Sequence, residues 1–370
     1  MPASEFSEFR FGDGKISGTL SLALGVLGFG AVLCLLYPSL LTTPDMRSVY
    51  SMPLVRALIQ GALALAFALG VLNVVLGWRR YTGVAGIALA VAATLLGGSE
   101  VEIETPLDAS RYIGLDWFIL NLFVLALVFV PMERVFGRLR EQKIFRRGWR
   151  TDLAHFFASH VGVQVSVLLT MIPAAVFFRW LVDSDFQTAV GAQPLLLQAV
   201  EALVLADLFA YASHRLFHSV PLLWRFHAIH HSCQQLDWLA SSRLHLVDIL
   251  LTRAVAFVPL YVMGFAPAAL YPYLVFASLQ GIFIHANLGF RFGWLRYVLV
   301  TPQFHHWHHT AQPEFVDRNF AIHLPLIDWL FGTYYLPDDR WPERYGIDGD
   351  PIPDGWWKQL VDPFISHPDR

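Results

Sequence analysis

An apolar stretch, about Leu195–Ala212, runs without a break into His214 and His218. It is long enough to enter a bilayer, where a segment must satisfy its own backbone polar groups and therefore folds as a helix. Two imidazoles four residues apart then share a face, with Cβ atoms about 5–6 Å apart. His227, His230 and His231 follow at i, i+3 and i+4, so five histidines fall within 18 residues. Pro221 separates the two sets and lets the chain turn between them. The spacing returns as His305, His308 and His309, with His306 added, and His285 closes another apolar stretch. Such a chain is constrained to be membrane helices that carry nitrogen ligands toward one end.

Composition supports the membrane reading. Of 370 residues, 55% are hydrophobic and 15% charged, with a mean hydropathy of +0.49. Soluble domains carry about 25% charged residues. A formal charge of −3 gives no reason to expect nucleic-acid binding. Cys34 and Cys233 lie far apart and form neither a CxxC motif nor a disulfide framework. Of the 15 histidines, 11 lie between His214 and His309.

The fold class expected is all-α: a polytopic transmembrane helical bundle of about eight spans with a cytoplasmic-side histidine-rich dimetal site and a helical cap. Six spans are expected near 16–37, 53–78, 82–98, 115–131, 152–180 and 195–212. The seventh and eighth lie within 247–287, with Pro267 and Pro272 near the turn. Three parts follow: an N-terminal extension over 1–114, a catalytic membrane domain over 115–340, and a Pro- and Trp-rich cytoplasmic tail over 341–370. The third span is short and Ala/Gly-rich, so it is expected to be tilted or tightly packed, and Gly83 and Gly86 are too common in such spans to signal dimerisation.

The loop 134–150 holds Arg134, Arg138, Arg140, Lys143, Arg146, Arg147 and Arg150. Short loops rich in Arg and Lys stay on the cytoplasmic side. The plain reading of this loop is topogenic; the sharper one is that it grips anionic lipid headgroups. Counting crossings from it puts the N-terminus, Arg79-Arg80, every histidine box and the C-terminus on the cytoplasmic side. The acidic stretch Glu100–Asp108 falls outside.

The candidate metal ligands are His214, His218, His227, His230, His231, His285, His305, His308 and His309. Nine nitrogens are too many for one ion and fit two with four or five each. Imidazole suits iron, zinc and copper alike, so spacing alone names no metal. Ligating histidines need an acceptor on the second ring nitrogen, and Asp207 or Asp237 is a candidate. Asp207 and Tyr211 share the helical stripe of His214 and His218, and Asn287 lies two residues after His285. These three are candidates for supporting the ligands or facing substrate. His245, His306 and His323 are read as neighbours in packing, and His155 and His160 as hydrogen-bonded within the bundle.

The three boxes, HxxxH at 214–218, HxxHH at 227–231 and HxxHH at 305–309, resemble the fatty acid hydroxylase / sterol desaturase superfamily of integral-membrane non-haem di-iron oxygenases. Flanking residues fit too: Tyr211 and Arg215, Leu223 to Phe226, Ser232, Thr301-Pro302, Asn319-Phe320, and Leu324 to Thr333 with Asp328. The resemblance covers about 115–340. His306 departs from the pattern, as does Leu246 where many members carry proline, and only one histidine, His285, stands in the eighth span.

The resemblance implies two iron ions, O2 as oxidant and a lipid substrate that is hydroxylated or desaturated. Purified protein would also accept zinc, which nitrogen sites hold more tightly than ferrous iron. Neither an HPGG haem signature nor a GxGxxG after a strand occurs in the sequence, so a separate electron-transfer protein and reductase are expected. Membrane lipids are the remaining partners. The location expected is a bacterial inner membrane, or the endoplasmic reticulum of a eukaryote. The competing reading is a metal-binding membrane transporter or sensor without oxygenase activity. A zinc hydrolase would need an HExxH motif that is absent.

Overall fold

A computed structural model describes residues 14–47, 51–77, 80–102, 113–166, 176–338, 340–349 and 352–365. Among them there are helices and two isolated β-bridges but no strand. Six helices are long and apolar enough to cross a membrane: Ile16–Leu36, Met52–Leu76, Tyr81–Glu100, Leu115–Phe136, Leu195–Ser219 and Leu246–Met263. Leucines at their middles and ends stand open, Leu127 at 76% and Leu95 at 82% exposure. An apolar helix with an open face needs lipid rather than water around it. Of the eight expected spans, the last is the 17-residue helix Pro267–Phe283. The fifth begins as the helix Trp149–Ser166, and residues 167–175 lie outside the described ones.

The chain divides into two compact units, 1–123 and 124–370. In the first, helices α1 (Lys15–Leu36), α2 (Met52–Leu76) and α3 (Tyr81–Leu95) pack on one another. Small residues make this possible. A Cβ on Gly86 would sit 2.6 Å from the Ser21 backbone carbon, and one on Gly70 2.8 Å from the Gly83 carbonyl. Polar groups are satisfied across the helices: Ser21 Oγ donates to the Ala66 carbonyl at 2.6 Å, and Asn73 Nδ2 to Gly14 O at 2.6 Å. The Asn73 amide oxygen accepts from Gly83 N–H, one of the free donors at the start of α3.

The helix α4 (Leu115–Phe136) runs through Pro131. In the second unit follow α5 (Trp149–Ser166), α6 (Leu195–Ser219), α7 (Pro221–His231), α8 (Leu246–Met263), α9 (Pro267–Phe283) and the short α10 (Pro302–His308). Pro221 sits at the first position of α7, after an extended Val220, so the chain breaks between the first two histidine boxes. Gly264 closes α8 at φ +75, where an L-residue is strained, and its missing Cβ leaves room for Gln187. Pro267 then opens α9, and the α8–α9 hairpin returns the chain toward the boxes. Apolar side chains of α6, α8 and α9, including Ala202, Ala206, Leu260 and Tyr273, form the core beneath the site.

The loop after α4 is only partly a surface loop. Arg146 is buried and bridges Asp152 at 2.8 Å and Asp237 at 2.7 Å. Arg243 also holds Asp152, at 2.6 Å. Arg147, by contrast, is exposed in its pair with Asp354. The tail packs against this unit. Gln359 Oε1 accepts from His155 Nε2 (2.8 Å), Leu360 O accepts from His245 Nε2 (3.0 Å), and Arg138 stacks on Trp341 at 4.9 Å.

Candidate metal centre

The nine imidazoles singled out by spacing meet in two groups. One is His214, His218, His227, His231 and His308; the other is His230, His285, His305 and His309. Within each group the nitrogens on offer lie within 4.8 Å of one another. The partition follows helical geometry. The i, i+4 pairs 214/218, 227/231 and 305/309 stay together, because four residues return to the same face. The adjacent pairs 230/231 and 308/309 are split, because one step turns a side chain about 100°. Helices α7 and α10 therefore each feed both groups.

Ring orientation is fixed from behind. The Nδ1 atoms of His214, His230, His285 and His308 lie 2.7, 3.1, 2.7 and 2.8 Å from the carbonyls of Phe320, Arg243, Gly281 and Arg318. A carbonyl only accepts, so each of these Nδ1 atoms carries the proton and each Nε2 presents a lone pair. Asp248 accepts from His227 Nδ1 at 2.7 Å, and Asp317 from His218 Nδ1 at 3.0 Å. Such acceptors set the tautomer of a metal-bound histidine.

The lone pairs then face one another. His214 Nε2 and His227 Nε2 are 3.1 Å apart, as are His230 Nε2 and His285 Nε2. His305 Nε2 and His309 Nε2 approach His285 Nε2 at 3.0 and 3.2 Å. The Nε2 atoms of His218, His231 and His308 are buried without a hydrogen-bond partner. Two facing acceptors repel, and a buried unpaired nitrogen carries its full desolvation cost. A cation between them removes both penalties, so the donor set fits a metal in each group. Burial and the neighbouring imidazoles hold His230, His231, His305, His308 and His309 well below the usual histidine range. Burial pushes His285 down to about 4. The rings outside the spans are thus neutral, the form that binds metal.

Asp207 and Asp237 are engaged elsewhere than at these rings. Asp207 accepts from the backbone N–H of Ile322, His323 and Leu324, and Asp237 holds Arg146. Asp207 still serves the site, because it fixes the strap 318–324 whose carbonyls orient His214 and His308. Asp328 grips the same strap at the N–H of Phe320 (2.7 Å) and Ala321 (2.8 Å). Asn319, at φ +59, bonds Phe304 O and Tyr335 O through its amide. Tyr211 shares a hydrogen bond with Thr333 Oγ1 at 2.9 Å and packs edge-on against Phe320. Asn287 ties Leu139 to the end of the hairpin through two bonds of 3.0 Å.

His245 caps α8, accepting from Val247 N–H. His306 binds the Tyr345 hydroxyl at 2.9 Å, and His323 packs on Tyr273 and Phe276. His155 is held between Leu244 O and Gln359. Sequence reasoning missed Asp248 and Asp317. For Asp248 a signal existed: an acid inside an apolar span.

Residues 199–333, which hold all nine histidines, match the fatty acid hydroxylase family model. This stretch is thus a fatty acid hydroxylase domain. The chain is 32% identical to the ornithine lipid hydroxylase OlsE of Rhizobium tropici over 217 residues, 58% of this chain and 65% of that protein. It is 30% identical to the human alkylglycerol monooxygenase over 135 residues, 36% of this chain and 30% of the relative. A very-long-chain aldehyde decarbonylase of Oryza sativa subsp. indica is 27% identical over 180 residues, 47% of this chain and 65% of the relative. The chain thus spans less than two thirds of the length of each of these relatives. No solved structure matches it.

Proposed function

We propose that this chain is a membrane-bound lipid hydroxylase whose nine histidines hold two metal ions, iron in the working enzyme. His214, His218, His227, His231 and His308 would hold one, and His230, His285, His305 and His309 the other. The observation that carries the reading is the facing of unprotonated Nε2 atoms, His214 on His227 and His230 on His285, each at 3.1 Å. Two irons held there would use O2 and supplied electrons to put one oxygen atom into a C–H bond of the lipid.

The chain's own part is placement and shelter. Asp248, Asp317 and the carbonyls of 243, 281, 318 and 320 keep six of the nine rings turned inward. Six of the imidazoles would be occupied on both nitrogens, one by an acceptor and one by the ion, and so serve as ligands and not as general bases. Burial keeps bulk water from the oxidising centre. The fatty acid hydroxylase domain supports oxygen-dependent chemistry, and relatives named for ornithine lipid and alkylglycerol support a membrane lipid with a polar head. Hydroxylation takes precedence over desaturation because both of those relatives are named as hydroxylase or monooxygenase. Electrons would come from a separate carrier and reductase.

The same proposal gives the organisation and sidedness. The catalytic part is 115–340, the first three spans are an extension, and 341–370 is a tail over the site. The boxes face the cytoplasm, a reading supported by the Arg-rich loop 134–150.

Mass spectrometry of total lipids tests it. Cells making the protein with a suitable reductase gain a lipid heavier by one oxygen atom, and cells making His230→Ala or His308→Ala do not. Metal-loaded wild-type protein that oxygenates no lipid class would overturn the proposal.

A further inference from the structure

The two imidazole groups differ in what reaches them. A cavity of about 390 Å³ is lined by His218, His231 and His308, all from the five-membered group, and by none of the other four-membered group. The Nε2 atoms of these three rings are the ones left without a hydrogen-bond partner. Trp224 forms one wall, the loop from Thr310 to Asp317 a second, and Gly346 to Asp348 of the tail a third. The tail wall is held in place: Ala311 N–H donates to Arg344 O at 2.9 Å, and Thr310 and Tyr345 form an antiparallel bridge. Tyr345 also takes hydrogen bonds with Arg138 and His306.

The four-membered group lines no part of that cavity. His230, His285, His305 and His309 are at most 5% exposed, and three of their Nε2 atoms crowd within 3.0–3.2 Å of one another. His285 is backed by Gly281 O and His230 by Arg243 O, so the ring edges away from the centre meet backbone.

The geometry points to an open and a closed metal position: an ion on the five-membered group takes an exogenous small ligand through the tail-walled cavity, and an ion on the four-membered group does not. The ligand class is set by the three imidazoles that line the cavity and would hold the ion. A small anion such as azide, or a diatomic, would reach the ion there. Ile347 lines the tail wall of the cavity, so its size sets the room left there for a ligand. The inference rests on the two-ion reading above.

The test uses full-length protein loaded with cobalt(II), followed optically and by metal analysis. With two cobalt ions per chain, azide binds at one per chain and shifts the spectrum of one ion. Ile347→Trp weakens azide at least tenfold, and Ile347→Gly speeds the loss of one cobalt to a chelator several-fold while the second stays. Fewer than two cobalt ions per chain would defeat the two-ion reading itself. Two cobalt ions that both take azide, or that leave at one common rate in wild type, would overturn the open-and-closed assignment alone. So would an azide affinity unchanged in Ile347→Trp with both ions retained. The wild-type stoichiometry decides the matter even where a variant fails to fold.

Discussion

His214 and His227 point unprotonated nitrogens at each other across 3.1 Å. Behind each ring stands an acceptor at 2.7 Å, the Phe320 carbonyl for one and the Asp248 carboxylate for the other. The protons are therefore on the far side, and the near side is a pair of lone pairs inside buried protein. The metal-free site is repulsive by construction, and the same holds for His230 against His285.

Metal removal should accordingly destabilise the protein. Thermal unfolding of chelator-treated protein in detergent is expected to begin several degrees below that of loaded protein, because a ligand that binds only the folded chain adds its binding free energy to stability. Re-addition of two equivalents restores the transition. Equal melting temperatures with and without metal would remove this account of the facing nitrogens.

Asp248 is the residue through which to test ring orientation without touching a ligand. It accepts from His227 Nδ1 and also from Thr252 Oγ1 at 3.0 Å. Asp248→Ala frees the His227 ring to turn and is expected to weaken one of the two ions by about 10–100-fold. The second ion should stay, since Asp248 bonds none of His230, His285, His305 and His309, and the first two are backed by the Arg243 and Gly281 carbonyls. Metal titration read by competition with a chromophoric chelator distinguishes loss of one ion from loss of both.

The contrast between what Asp248 and the histidines showed in sequence has a physical reason. Histidine spacing is a side-chain pattern on a helix, so 214/218, 227/231 and 305/309 could be read as pairs before any fold was known. Which pairs join was hidden, because His285 and His230 are brought together by the α8–α9 hairpin over 55 residues. Four of the six orienting acceptors are backbone carbonyls, which every residue has, so no residue type marks them. The strap 318–324 gave only its resemblance. That Asp207 and Asp328 grip its N–H groups became visible once the chain had returned to α6. The spans were legible from apolar length, but the loop 134–150 read as uniformly basic when Arg146 is in fact an internal ion bridge.

His323 gives the pH dependence a clean reporter, because it contacts Tyr273 and Phe276 and none of the nine rings. Burial lowers its pKa to about 4, and its Nδ1 has no partner. The unfolded chain, with an ordinary histidine pKa near about 6.5, binds a proton between those values that the folded chain refuses. Stability from this group is full above the unfolded pKa and falls as pH drops toward 4. His323→Phe should remove that part of the acid sensitivity, flattening the unfolding free energy between pH 6.5 and 4 by an amount on the order of 1–3 kcal/mol. An unchanged pH profile in the variant would show that His323 is not the group responsible.

The basic loop offers the sharpest separation between neighbours. Arg146 and Arg147 are adjacent in sequence and both pair with aspartate, yet their surroundings are opposite. The Arg146 side chain is 2% exposed between Asp152 and Asp237, whereas Arg147 is 78% exposed beside Asp354. Arg146→Met leaves the buried Asp237 without its cation and Asp152 with Arg243 alone, a change that costs about 3–5 kcal/mol when one partner of a buried pair is removed. Burial already pushes the Asp237 carboxyl above its usual range with the guanidinium present, so without it the acid takes up a proton and the loop loses its anchor. Arg147→Met removes a solvated pair and should change stability by about 0–1 kcal/mol. If the loop were only a topological signal, the two variants would unfold alike. The expected result is a large fall in melting temperature for Arg146→Met alone, with Arg146→Lys intermediate because one ammonium cannot make both bonds to Asp237 and reach Asp152.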